Sequence, residues 1–490
     1  MGAVTFTTGE TAFILGMVFI YIAITSWLSV KLRSKTSGEF MNAAKTMPAL
    51  IVAVLLMTEF IGAKSTVGTA ESAFKYGMAA SWSVIAAAVG YLLYGLFFVK
   101  KLYRSGSFTI SGAIAQKYGH STQLIVSVIM IAALLLVNVG NYISGAAALT
   151  RIMHVNIPMA MLIIAVVSTF YYVLGGMKGV AYVTVIHAFM KYLGVIIVIA
   201  VALSLTGGIQ PIVDDLPDFY FTWDGHVGAN TVFAWIIATS GSIFSTQFVM
   251  QAISSTKSAH EAQKACLYSV ILCLPLGLIL AGIGVCARFL YPDMQALYAL
   301  PIFIQHMPLF LSAIVTTSIV AAVFVSVSTV ALGIASLVVA DFYVPKFKPA
   351  PEKQLKMTRY ISIVIGFLPL LFVFGVPEIL KLSFFTRALR LTISVVAVLG
   401  FYLPFFNSTR GANVGLIVSA VGTAVWYILD NPFGIDNIYI ALIVPAIVMF
   451  FEKVLTGGSG PIDVVPAEPE AVAETAQAGK SEGTTAQANK

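Results

Sequence analysis

Runs of about 20 consecutive apolar residues follow one another from Thr11 to about Thr456, and they leave a chain like this few ways to fold. Each run can cross about 30 Å of hydrocarbon as a helix, which satisfies its backbone N–H and C=O groups internally. The runs are continuously apolar, so the period-two pattern of a membrane β-barrel is excluded. A chain that is 59% hydrophobic and 10% charged, with a mean hydropathy of +0.93, carries too much apolar surface for a water-soluble domain. Thirteen candidate spans begin near Thr11, Met47, Ala79, Gln123, Pro158, Val180, Thr231, Ala265, Leu309, Tyr360, Val376, Val414 and Ile438.

A net charge of +7 in a soluble protein would raise the question of nucleic acid. Here the basic residues fall in alternate short loops, so the charge reports orientation and no nucleic acid is expected. One set of loops holds Lys31, Arg33, Lys35, Lys45, Lys100, Lys101, Arg104, Lys117, Lys178, Lys257, Lys264, the stretch from Lys346 to Arg359, Arg410 and Lys453; the other holds Lys75, Arg151 and Arg288. The expectation is a multi-pass protein of a bacterial inner membrane with its N-terminus outside and its C-terminus in the cytoplasm. The first run lies between Glu10 and Lys31 and reads as a retained span, not a cleaved leader. Residues 457–490 are rich in Gly, Pro, Ala, Glu and Ser and read as a disordered cytoplasmic tail. Residues 1–456 then form one transmembrane domain with no separate catalytic module. Cys266, Cys273 and Cys286 lack metal-ligand spacing and read as small apolar filler.

Function must therefore be carried by polar groups inside the bundle, where ionisable side chains are costly. The second span, Leu56 to Gly77, contains Thr58, Glu59, Gly62, Lys64, Ser65, Thr66, Gly68 and Glu71. Small and polar residues crowd its middle, the mark of a discontinuous helix whose freed backbone lines a cavity. On an unbroken helix Glu59 and Lys64 would diverge by about 140°. A break near Gly62 lets them approach, either as a structural ion pair or with Lys64 free to bind an anion or to replace a coupling cation. In the ninth span Ser326, Ser328 and Thr329 offer oxygens to a cation such as Na+, or simply let helices pack closely. In the eleventh, Arg387 and Arg390 share a face, and Arg390 lies about 14 Å along the helix from Lys381. A buried guanidinium calls for a carboxylate, from the solute or from Glu59. His187 and Lys191 share a face of the sixth span, and snorkelling, packing and proton relay all account for them. Asn138, Asn141, Thr246, Gln247 and Gln251 are solute ligands or polar glue.

Four stretches resemble the sodium:solute symporters, which share the leucine-transporter-type (LeuT-type) fold. They are TVGTAESAFKYGMA from Thr66, GGMKGVAYVTVIH from Gly175, QFVMQAISSTKSAHEAQK from Gln247, and the segment Ala321 to Tyr343, which is similar to the family's AAimSSldSaLnsssslvtkDiY. The resemblance runs from about Gly38 to Gly422. It implies an all-α bundle with an extra first helix (11–30), two inverted five-helix repeats (47–206 and 231–406) and two terminal helices (414–452). It implies a solute and an ion bound at mid-membrane with alternating access. It also implies a sodium site made by carbonyls near Thr58 and Ile61, the carbonyl of Ala322, and the side chains at 325 and 326.

This sequence departs from that pattern at three places. Position 325 is Val where the family has a hydroxyl, position 184 is Thr where it has Asp, and position 64 is Lys. The expectation is an ion-coupled importer of a small, anionic solute, a carboxylate. Lys64, Ser65, Glu59, Thr246, Gln247, Asn141, Arg387 and Arg390 would line its site, and Lys64, Glu59 and Thr184 would govern coupling. Na+ is the coupling ion by family, with H+ or no coupling ion as the alternatives these departures open. No other cofactor, no further metal and no obligate protein partner are expected beyond the bilayer and the solute. A transporter-like sensor and a membrane-embedded enzyme are the rival classes, the second lacking any His or carboxylate cluster in the sequence.

Overall fold

The computed structural model describes residues 6–32, 43–153, 155–372 and 379–457. The tail beyond Gly457, the loop residues Arg33 and Lys35, and Val376, where the sequence places the start of the eleventh span, lie outside the described residues. Apart from one isolated bridge between Met47 and Thr256, regular structure among the described residues is helical. The helices used below are α1 (Thr8–Lys31), α2 (Ala49–Phe60), α3 (Ala63–Tyr76), α4 (Trp82–Leu93), α5 (Ile110–Tyr118), α6 (His120–Met153), α7 (Ile157–Leu205), α8 (Gly228–Ser245), α9 (Gln247–Ser254), α10 (Ala259–Leu290), α11 (Leu309–Leu337), α12 (Pro351–Phe367), α13 (Ile379–Tyr402), α14 (Thr409–Ile428) and α15 (Asn437–Thr456).

Ten helical stretches among the described residues are long and apolar enough to cross a bilayer, against the thirteen read from sequence. The difference has physical causes. The spans expected from Pro158 and Val180 form one uninterrupted helical run, α7, of 49 residues. Straight, it would measure about 74 Å, more than twice the hydrocarbon thickness. Its apolar stretches are Ile157–Thr169 and Met177–Leu205. The tenth expected span, α12, opens with Lys353, Lys356 and Arg359, and these interrupt its apolar surface. The second expected span is divided into α2 and α3.

Depth in the bundle is not set by hydropathy, because lipid accepts apolar surface as readily as a packed helix does. The most apolar window of α11 is 94% buried, whereas those of α1 and α15 are 22% buried. A helix apolar all round is stable at the centre of a bundle, and α11 packs there against α6, α7 and α1.

Two interruptions shape this centre. Between α2 and α3, Ile61 (φ −105°, ψ 61°) and Gly62 (φ −86°, ψ −168°) leave the helical region. Glycine is required at 62 by a close approach: a Cβ there would sit 2.0 Å from Ser326 Oγ of α11. Between α8 and α9, Thr246 is extended (φ −62°, ψ 126°). Backbone groups freed in a dry interior need partners. Ser65 Oγ donates to Phe60 O at 2.5 Å, Thr66 Oγ1 to Gly62 O at 2.8 Å, and Lys191 Nζ to Ile61 O. Ser326 Oγ accepts from Ala63 N–H at 3.1 Å and donates to Ala322 O at 2.7 Å.

About 22 Å further along the chain from Ser326, a π-helical turn, Val338–Tyr343, carries Asp341. Its carboxylate accepts from Thr109 Oγ1 at 3.1 Å and Gln123 Nε2 at 2.8 Å, and from the hydroxyls of Ser111 and Ser127. Thr109 also caps α5, accepting from Gly112 N–H. One acid thus ties the ends of α5, α6 and α11 together.

Two stability outcomes follow. Gly62→Ala should cost about 1–3 kcal/mol through overpacking, and Ser326→Gly should relieve part of that loss, a non-additivity readable from thermal unfolding of the purified single and double variants. Asp341→Ala should cost about 1–3 kcal/mol, because it strands buried donors. An unfolding temperature equal to that of the unaltered protein would refute the hub.

Candidate functional site

The two interruptions face a common set of cations. Arg390, 4% exposed on α13, lies between them. Its Nη1 donates to Thr246 Oγ1 at 2.8 Å, its Nε donates to Thr386 O at 3.1 Å, and its guanidinium lies 5.6 Å from the ring centre of Phe60. Thr246 Oγ1 in turn donates to Ser242 O, so one hydroxyl both marks the second break and meets the guanidinium. Three residues earlier, Arg387 Nη1 donates to Ser83 O at 3.1 Å and Thr239 Oγ1 at 2.8 Å. Its guanidinium lies 4.8 Å from the ring of Phe384, which stacks on Trp235 with centroids 5.0 Å apart.

Lys64, one residue into α3, is 6% exposed. Its stem lies over Gly140 of α6, where a Cβ would come within 2.8 Å of Lys64 Cδ. Among the described residues it makes no ion pair and no hydrogen bond; the charges acting on it are Arg387, Arg390 and Glu59. Glu59, at the end of α2, feels Arg390 and Lys64 and faces the hydroxyl of Thr329, and its Oε2 is buried with no hydrogen-bond partner among the described residues. No ion pair within 4.0 Å joins Glu59 to Lys64 or Arg390. The break therefore places these groups in one charge cluster without closing them on each other.

Above the arginines lies a cavity of about 400 Å³ lined by Glu71, Lys75, Tyr76, Trp235, Leu380, Lys381, Phe384 and Asp430 among others. Glu71 and Lys75 form an ion pair at 4.0 Å, and Lys381 pairs with Asp430. Lys381, Phe384, Arg387 and Arg390 follow one another every three residues along α13, each sharing a face with the next while the series winds around the helix by about 60° per step. They lead from the cavity, past the Trp235–Phe384 stack, to the breaks. The opposite end is closed by the Asp341 hub.

The remaining residues singled out from sequence occupy varied places. Ser65 is spent on Phe60 O, and Asn141 Nδ2 donates to Asn138 Oδ1 at 3.2 Å. Gln247 accepts from Ile110 N–H and donates to Phe108 O and Ser336 Oγ, which binds α9 to the α5 end. Of the oxygens expected around sodium, Ile61 O accepts from Lys191 and Ala322 O accepts from Ser326; the side chain of Thr58 donates to Val54 O and Leu55 O. Val325 is buried, and Thr184 Oγ1 is buried with no hydrogen-bond partner among the described residues.

Sequence reasoning left Lys191 undecided, yet its ammonium bonds Ile61 O at the break, where a sodium ion would stand beside it. Two unit charges 4 Å apart at an effective dielectric constant of 20 repel by about 4 kcal/mol. These residues do not fit a sodium ion at Ile61. The available signal was spacing: Lys191 follows Thr184 by seven residues, two turns on the same face. The Thr246 break and the Asp341 hub also went unread.

The model of the family described as "Sodium:solute symporter family" matches residues 40–419. The sodium/glucose cotransporter of Vibrio parahaemolyticus is 22% identical over 445 residues, covering 82% of this chain and 82% of its own length. Human sodium-coupled monocarboxylate transporter 1 is 24% identical over 451 residues, covering 85% of this chain and 72% of its own. A substrate-bound, outward-open structure of a Na+-coupled sialic acid symporter superposes with a TM-score of 0.78 at 18% identity, covering 92% of this chain and 99% of that one, and so shares its fold. These relatives are transporters, not enzymes, and with the family model spanning most of its length, this chain belongs to the sodium:solute symporter family.

Proposed function

We propose that this protein imports a small carboxylate by alternating access, the anion resting between the two helix breaks on Arg390 and Lys64. The supporting observation is the placement of Arg390: a buried guanidinium bonded only to neutral oxygens, with no carboxylate within 4.0 Å among the described residues. Two half-helices add to it. The N-terminal ends of α3 and α9 lie at the breaks, and their dipoles favour negative charge there. Lys64, Arg387 and Arg390 outnumber Glu59, so an incoming anion lowers the charge imbalance of a dry site. Relatives that name a monocarboxylate and a sugar as solutes show that the fold leaves this choice to the pocket. The cavity above Phe384 is the outer vestibule in this reading, in keeping with basic loops at the other face. Arg387 receives the anion first and Arg390 holds it.

Uptake of labelled pyruvate, lactate, acetate, glucose and choline into proteoliposomes of the full chain tests this reading. The carboxylates should enter and the others should not. Arg390→Gln should lower carboxylate uptake about tenfold to 100-fold, the worth of one or two charge-assisted hydrogen bonds. Uptake of glucose or choline, undiminished in Arg390→Gln, would overturn it.

A further inference from the structure

At the end of α2 the chain stops being helical, and the last carbonyls of the half-helix present the negative end of its dipole to the interior. A position of this kind attracts a cation. It is already held by one: Lys191 reaches from α7 across to Ile61 O, with its stem buried to 2% exposure. The surroundings suit a fixed ammonium. Beside it lies a cavity with room for about one water, lined by Ala63, Thr66, Ser318 and Ala322. His187, one turn earlier on α7, meets the hydroxyl of Tyr21 on α1, and His187 and Cys273 of α10 are the ionisable side chains that interact with Lys191. Among the described residues no carboxylate lies within 4.0 Å of Nζ, so the neutral carbonyl dipole of Ile61 is the partner of this ammonium.

We infer that Lys191 is the resident cation of the α2–α3 break, occupying the position to which the family resemblance assigns a coupling sodium ion, so that this chain binds and moves its solute without Na+. The inference rests on the carrier reading above, but not on the choice of a carboxylate as solute. Three local features agree with it. Lys191 brings its amine on a tethered side chain seated on Ile61 O. Val325 withholds a hydroxyl from the same place, and Thr184 withholds an acid. A tethered ammonium also has no association entropy to lose, so an ion from solution competes at a disadvantage.

The test is the binding of 22Na+ to the purified full chain, with thermal unfolding in sodium chloride against choline chloride as the second readout. The unaltered protein should show no saturable 22Na+ binding and the same unfolding temperature in both salts. Lys191→Arg should behave likewise, because it keeps the charge. Lys191→Met should unfold at a lower temperature in choline chloride and recover part of that shift in sodium chloride. Saturable 22Na+ binding by the unaltered protein, retained in Lys191→Arg, overturns the inference, and that comparison stands even if Lys191→Met fails to fold. Neither readout contains a solute. A failure of the carboxylate reading appears separately, as absent carboxylate uptake with the sodium results unchanged.

Discussion

A helix broken in the middle of a membrane protein must find partners for backbone groups that water cannot reach, and the site of this carrier is built on that requirement. Ile61 and Gly62 free carbonyls on one side and N–H groups on the other. Ser65 and Thr66 satisfy two carbonyls locally. The others are met from a distance: Ser326 comes from α11 and Lys191 from α7. Each repair stitches another helix to the break. The mid-membrane junction is consequently held by hydrogen bonds that have no substitute, and it joins the most deeply buried helix to its neighbours.

The same half-helix ends sort the charges. The C-terminal end of α2 offers carbonyls and takes the Lys191 ammonium. The N-terminal ends of α3 and α9 offer their positive poles and face the place between Lys64 and Arg390. Four buried cations thereby surround the breaks, two of them, Lys64 and Arg390, near the acid Glu59, without collapsing into ion pairs. Lys191 is compensated by a carbonyl dipole. Arg387 and Arg390 are spread over hydroxyls, carbonyls and the faces of Phe384 and Phe60. Each group is partly solvated by the protein, and a net demand for negative charge is left over.

Much of this was legible in the sequence, and the part that was not has a common cause. Apolar runs gave away the helices, because lipid tolerates little else. Gly62 amid Glu59, Lys64 and Ser65 gave away the first break, since small and polar residues crowd a span only where the helix fails. Arg387 and Arg390 declared themselves by being three apart. The second break did not, because Thr246 carries no glycine and leaves the helix through ψ alone. Lys191 was ambiguous because its partner is a backbone carbonyl 130 residues away, and a carbonyl has no residue type to read. The Asp341 hub draws on Thr109, Ser111, Gln123 and Ser127, ordinary residues at the starts of two helices, α5 and α6, whose convergence on α11 is purely tertiary. Continuity was hidden too: apolar stretches on either side of Gly175 read as two spans, while the helix between them continues.

The two ends of the molecule differ from the middle in a way that bears on movement. The Asp341 hub and the Lys381–Asp430 pair bind helix ends through side chains alone. Water entering at such an end can replace each of those bonds nearly one for one. Water entering the break would have to replace a serine wedged against glycine and a lysine seated on a carbonyl, and Ser326 leaves no room there even for a methyl. Opening either end therefore costs far less than opening the centre. Packed junctions shift between discrete arrangements instead of stretching, so the economical motion keeps α2, α3, α7 and α11 together at the break and lets the ends part in turn. In the proposed reading, a solute held by Arg390 and Lys64 would then see first one side of the membrane and then the other, while Lys191 would stay on Ile61.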